Sequence, residues 1–147
     1  VASPQNRIIG QTAFMQNQKT FIQKVKETKS MSGLAVDLGT PMTSLDKNLW
    51  PEIDVLLLMS VKAGWDHQEF DLRVWDKIRE GVEMRKNTNS KFTICIDGGV
   101  TKELVREMEN LGVNEVAVGK RIFEPDLKEN LKLFFEMGVP PRSGGNV

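Results

Sequence analysis

Four apolar runs of strand length, at residues 33–38, 53–61, 92–97 and 116–118, alternate with segments whose apolar residues recur at helical spacing. This alternation constrains the fold most. Strands joined through helices run parallel, and a parallel sheet needs helices to cover it. The helical faces are Phe21, Ile22 and Val25; Val74, Trp75, Ile78 and Val82; Leu104, Val105, Met108 and Leu111; and Leu127, Leu131, Phe134 and Phe135. Thr101 is placed to cap the third helix and Gly112 to stop it. The run at 53–61 is almost unbroken, which predicts a strand buried on both faces. A short helix is predicted through Leu45 and Leu49, and residues 7–14 make a weaker strand candidate. The class is therefore α/β. About five strands are in sight where a parallel barrel closes with eight, so a partial (β/α)8 TIM barrel is expected. Residues 1–139 are expected to form one domain and 140–147 a flexible tail.

Composition narrows the function classes. With 20 basic and 20 acidic residues the net charge is zero, so no basic excess exists to neutralise a nucleic-acid backbone. No stretch approaches the roughly 20 apolar residues of a membrane span, and the opening residues lack the order of a secretory signal. The single cysteine, Cys95, can form no internal disulfide and suits a reducing compartment, so a cytoplasmic location is expected. Val1 at the start suits a processed or excised fragment.

Ligands of parallel α/β folds bind where strand C-termini meet the loops that follow. Four such ends read VDLGTP at 36–41, MSVKAGWDHQEF at 59–70, CIDGGV at 95–100 and VGKRIF at 118–123. Glycine turns at Gly98, Gly99 and Gly119 would leave backbone N–H groups unshielded near helix N-termini, as a phosphate requires; each alone also suits a plain turn. Asp97 ends its strand and is open to three roles: general base, metal ligand, or cap of its own turn. Asp37 ends its strand and is open to two roles, facing the pocket or, as the plainer reading, capping its own turn; Met59 reads as core. Trp65 reads as a loop anchor or a lid. His67, the only histidine, is a solvated side chain or a phosphate contact, and no histidine cluster exists to hold a metal.

Taken together, these segments resemble the ribulose-phosphate 3-epimerase family, built on the ribulose-phosphate-binding barrel. Residues Ala35 to Pro41 follow the outline of that family's fifth strand, with Asp37 where the family carries asparagine. Residues 59–70 echo its M-T-V-x-P-G-F-G-G-Q-x-F segment, Lys77 and Ile78 its next helix, residues 96–100 its V-D-G-G-I signature, and residues 118–123 its V-x-G-S-x-I-F ending. The resemblance places the chain as roughly the last five strands of the barrel. It implies interconversion of ribulose 5-phosphate and xylulose 5-phosphate through an enediolate, by two carboxylates and a divalent metal (Zn, Fe, Mn or Co). Asp97 would be both acid–base and metal ligand. Met59, Gly64, Trp65, Asp66, His67, Gly98, Gly99, Gly119 and Lys120 would bind the sugar phosphate.

The departures matter. The family's second-strand aspartate and its two metal-binding histidines belong to strands that this chain does not contain, and no His-x-Asp pair occurs in it. The expectation is thus an epimerase-like protein with little or no turnover alone; the alternative is a non-catalytic sugar-phosphate-binding or assembly protein. The Asp-Gly-Gly turn and Met-x-Val loop favour an epimerase over the lyases and decarboxylases that share the phosphate site. Open barrel edges predict a homodimer.

Overall fold

The computed structural model describes residues 6–62, 68–123 and 125–137. Five strands, β1 (Arg7–Gln11), β2 (Met31–Val36), β3 (Val55–Met59), β4 (Thr93–Asp97) and β5 (Glu115–Ala117), form one sheet in chain order. Every pairing is parallel. Helices α1 (Gln18–Glu27), α2 (Val74–Asn87) and α3 (Lys102–Leu111) cross from β1 to β2, β3 to β4 and β4 to β5, and α4 (Leu127–Met137) follows β5. This is the α/β architecture expected of a partial (β/α)8 barrel, with an open sheet.

Strand alternation divides the sheet's two faces. Leu34, Val36, Leu56, Leu58, Ile94 and Ile96 point to the helices and pack with Ile22, Val74, Ile78, Val105 and Met108 in one core. Ala35, Leu57, Met59, Cys95 and Asp97 occupy the other face. The strand predicted at 53–61 is shorter, and on this second side Leu57 and Met59 are only half-buried, so burial on both faces is incomplete. Met59 is accordingly a wall residue and not core.

The second face is concave. Arg7 on β1 and Glu115 on β5 form a bidentate ion pair, with Arg7 Nη2 donating to Glu115 Oε1 at 2.9 Å. Edge strands of a flat five-stranded sheet would stand four spacings, about 19 Å, apart. Two side chains cannot span that, so the sheet curls like a barrel wall until its edges face each other.

Local signals explain the element ends. Asn17 accepts from the Thr20 N–H at 2.9 Å to cap α1. Gly112, at φ +103°, ends α3 in a Schellman motif: its N–H reaches Glu109 O at 2.9 Å and the Val113 N–H reaches Met108 O at 3.0 Å. Thr101 holds the N-cap position of α3 without a side-chain capping bond; its hydroxyl instead holds the Glu103 carboxyl below its ordinary range. Two predictions change. The strand at 7–14 stops at Gln11, because Thr12 turns back to donate to Ala35 O at 2.8 Å and Thr12–Phe14 becomes a 3-10 turn. The short helix through Leu45 and Leu49 is two 3-10 turns, Met42–Ser44 and Lys47–Leu49, split where Asp46 caps the second. The tail at 140–147 lies outside the described residues.

Candidate functional site

The C-terminal strand ends converge on the concave side. Met59 is in register with Asp97, and Asp97 with Ala117. Val36 pairs with Leu58, so Asp37, the next residue, falls opposite Met59. Asp37, Met59 and Asp97 thus form one row across β2, β3 and β4. Both aspartates are half-buried.

Asp97 is held through its backbone. Ser60, fully buried, donates its N–H to Asp97 O at 2.9 Å and its hydroxyl to Asp97 O at 3.0 Å, with a further hydroxyl contact to Gly98 O. The Asp97 carboxylate itself has no hydrogen bond or ion pair among the described residues. Beneath it on the same face, burial pushes the Cys95 thiol up to about 11, with Glu115 and Asp97 adding to the effect. Cys95 is therefore a protonated thiol at neutral pH, which removes it as a nucleophile.

The next turn can be built only from glycine. Gly98 and Gly99 sit at φ +115° and +59°. A Cβ on Gly99 would lie 2.5 Å from the Phe70 nitrogen, and one on Gly98 would strike Val61. The turn is thus seated directly on both stems of the loop that precedes α2. Gln68 closes that loop's neck, accepting from the Lys62 N–H at 3.0 Å and donating to Lys62 O at 2.6 Å. Phe70 packs on Trp75 at a ring separation of 5.3 Å. The loop's tip, including the expected ligands Gly64, Trp65, Asp66 and His67, lies outside the described residues.

Gly119 has open space where a side chain would stand, and exposed Lys120 begins a 3-10 turn, Lys120–Ile122. Arg121 links the two glycine turns by donating to Gly99 O at 3.0 Å.

Sequence reasoning missed four contributors. Ser60 was legible only as a small hydroxyl after an apolar run. Arg121 was read only as part of an ending. Lys77 is buried, and its ammonium donates to Asp37 O and Thr40 O, fixing the loop after β2 from behind. Burial lowers the Lys77 pKa, with Asp37 opposing the shift. Gln11 donates through Nε2 to Asp37 Oδ1. Asp37 is thereby corrected: its own turn is closed by backbone, Thr40 N–H to Asp37 O at 3.2 Å, and its carboxylate faces across to β1.

Asp97 offers one carboxylate to a metal. Among the described residues no group of three His, Cys, Asp or Glu side chains is gathered to hold one, so no complete ligand set is assigned. No helix among those residues is long and apolar enough to cross a membrane.

Comparison with known proteins agrees with this geometry. The model of the ribulose-phosphate 3-epimerase family matches residues 5–123. The ribulose-phosphate 3-epimerase of Aquifex aeolicus is 34% identical over 102 residues, 69% of this chain and 46% of that protein. The enzymes of that name from Serratia marcescens and Escherichia coli K12 are each 32% identical over 109 residues, 74% of this chain and 51% and 48% of theirs. The chain spans about half the length of the curated relatives it matches. A match that runs from before β1 through the turn after β5, over the same strand ends that build the concave row, shows that the chain belongs to the ribulose-phosphate 3-epimerase family.

Proposed function

We propose that this chain binds a pentulose phosphate across the concave mouth and that Asp97 exchanges the proton at C3, the half-reaction of ribulose-phosphate 3-epimerisation. The observation that supports this most is the Asp97–Gly98–Gly99 turn. Its carboxylate has no protein partner among the described residues, while its backbone is fixed by Ser60 and Arg121. A general base needs that combination, because a fixed backbone keeps its reach constant and a free carboxylate is available to the substrate.

In this reading Gly98, Gly99, Gly119 and Lys120 hold the phosphate with the loop at 64–67. Backbone N–H groups beside small residues and one ammonium suit a dianion. Met59 lines the carbon chain between the strand ends. Asp97 would be this chain's contribution to a divalent-metal site, whose ion would stabilise charge on the substrate oxygens.

The reading also covers the chain's assembly. A single unit over residues 1–139 would pair with a second copy through its open edges, where Ile8 and Ile9 of β1 are 40% and 36% exposed. Sedimentation velocity over a concentration series is expected to show a dimer, and a monomer at every concentration would remove this part.

The test of the site is calorimetric and kinetic. Ribulose 5-phosphate should bind and be competed by inorganic phosphate. Asp97→Asn should keep that binding and lose C3 proton exchange by about 100-fold or more, the usual range for a general base. Binding without any exchange in the unmodified chain would defeat the catalytic reading.

A further inference from the structure

We propose that Arg121 is a binding residue for the substrate phosphate, a guanidinium clasp that makes the site select a phosphorylated sugar over a free one. The inference rests on the pentulose-phosphate reading above and adds to it a cation that the glycine turns and Lys120 do not supply.

The guanidinium is held beside the place assigned to the phosphate. Arg121 Nη1 donates to Gly99 O at 3.0 Å, and Gly99 belongs to the turn whose positive φ angles require residues without side chains. The backbone that carries Arg121 is fixed from two directions. Within its own turn, the Ile122 N–H donates to Gly119 O at 3.1 Å and the Phe123 N–H to Lys120 O at 3.0 Å. From α4, Asn130 Nδ2 donates to Arg121 O and to Ile122 O, each at 3.2 Å. The side chain thus starts from an anchored backbone and bridges the two glycine turns, at the ends of β4 and β5, between which the phosphate is assigned.

A strut accounts for only one donor of this side chain. A guanidinium carries a fork of N–H groups, and Arg121 makes no ion pair and no other side-chain hydrogen bond among the described residues. Other arginines of the fold behave differently. Arg85, which does tie segments together, gives its donors to Phe92 O, Asn114 Oδ1 and Gly112 O. Arg7, Arg73 and Arg79 each meet a carboxylate. Arg121 instead presents its cation exposed at the mouth, with no carboxylate against it among the described residues.

Charge then decides what this cation would meet. Asp97 ends β4 immediately before the glycine turn, and its carboxylate repels a dianion. The Lys77 ammonium cannot offset that, because it donates to Asp37 O and Thr40 O. Arg121 places a second positive charge beside Lys120. Its planar fork adds what an ammonium lacks: with one N–H on Gly99 O, a neighbouring pair remains to meet two phosphate oxygens side by side. A sugar hydroxyl offers that pair no charge, so the discrimination falls on the phosphate. The family's V-x-G-S-x-I-F ending specifies no residue at this position, so the clasp is a property of this chain.

The experiment is calorimetric titration of the full chain with ribulose 5-phosphate, ribulose and inorganic phosphate, at low salt and in about 1 M sodium chloride, where the Debye length falls to about 3 Å. Arg121→Gln removes the charge and Arg121→Lys keeps it; the side chain is exposed, so both should fold, and the thermal midpoint checks this. Arg121→Met, with the same readout, replaces the glutamine variant if that one is unstable. The expected result is that Arg121→Gln weakens ribulose 5-phosphate and inorganic phosphate about 10-fold or more at low salt, as loss of a charged hydrogen bond implies. Arg121→Lys should lose less, and the differences should shrink in high salt. Ribulose should bind all the proteins with the same low affinity. A strut role alone would lower the thermal midpoint and weaken binding by the same factor at both salts, with lysine no better than glutamine, which would overturn the proposal. Unchanged affinity of Arg121→Gln for both phosphates would overturn it too, leaving the glycine turns and Lys120 as the phosphate site. If the unmodified chain binds neither ribulose 5-phosphate nor inorganic phosphate, the pentulose-phosphate reading falls and the proposal with it.

Discussion

Lys77 shows how a single buried cation can set the geometry of a loop from behind. Its ammonium is withdrawn from water and satisfied by two carbonyls. Replacing it by methionine keeps the volume but leaves Asp37 O and Thr40 O without that donor, at a cost of about 1–3 kcal/mol. Urea denaturation of Lys77→Met is expected to show that loss. The pH dependence has a definite sign. Burial places the folded pKa below the ordinary 10.5, so between the two values the unfolded chain holds more protons. Stability from this group is fully present above 10.5 and declines as pH falls through the folded value. The gap between the unmodified protein and Lys77→Met should therefore widen from pH 7 toward pH 10.5, and a constant gap would refute the assignment. Gly99 makes a second residue-scale case. Alanine there would combine φ +59° with a clash against the backbone of Phe70, so Gly99→Ala should cost about 1–3 kcal/mol and weaken phosphate binding. Calorimetric titration with inorganic phosphate would show an unchanged affinity if the turn had no part in the site.

At the scale of elements, α1, α2 and α3 are each fastened to the sheet by a few buried side chains. Ile78 on α2 is wholly buried in the core it shares with Leu56, Leu58 and Ile94. Ile78→Ala should lower stability by about 2–5 kcal/mol, through lost burial and the cavity left behind. A loss under about 1 kcal/mol in urea would mean that α2 can slide to fill the space. The same apolar spacing made the helices and strands readable in the sequence, and glycine made their ends readable: the stop at Gly112 is a Schellman turn because only that residue tolerates its φ. The segment between β2 and β3 was less legible. Buried Leu45 and Leu49 have helical spacing, yet Asp46 starts a new turn between them. Of the site, Asp97 and the Gly98–Gly99 turn were legible because they occupy a strand end. Ser60 and Lys77 were not, because their roles depend on register between strands and on a contact spanning 40 residues, which local patterning does not encode.

For the whole molecule, the central fact is that five parallel strands curl without closing. Concave shape brings Asp37 and Asp97 to opposite sides of one row, so whatever maintains the curl also maintains the mouth. The Arg7–Glu115 pair joins the two edge strands directly, at 33% and 22% side-chain exposure. Its bidentate form favours a larger coupling than a scattered surface pair, although solvent access limits it to about 1 kcal/mol. The hydrogen bond to Glu115 raises the Arg7 pKa, so that residue stays charged at any ordinary pH and the pair is sensitive to salt. A double-mutant cycle of Arg7→Met and Glu115→Gln, read by urea denaturation, should give a coupling near 1 kcal/mol at low salt that shrinks in about 1 M sodium chloride, where the Debye length falls to about 3 Å. The same variants bear on function. Neither residue stands at the mouth, since each begins its strand, yet freeing the edges would let β1 and β5 part and draw Gln11 and Asp37 away from Asp97 and Gly119. Ribulose 5-phosphate binding should then weaken in Arg7→Met and in Glu115→Gln to a similar degree, with no further loss in the double variant. Additive stabilities together with unchanged binding would show that the backbone holds the curl by itself and that the pair merely decorates an already curved sheet.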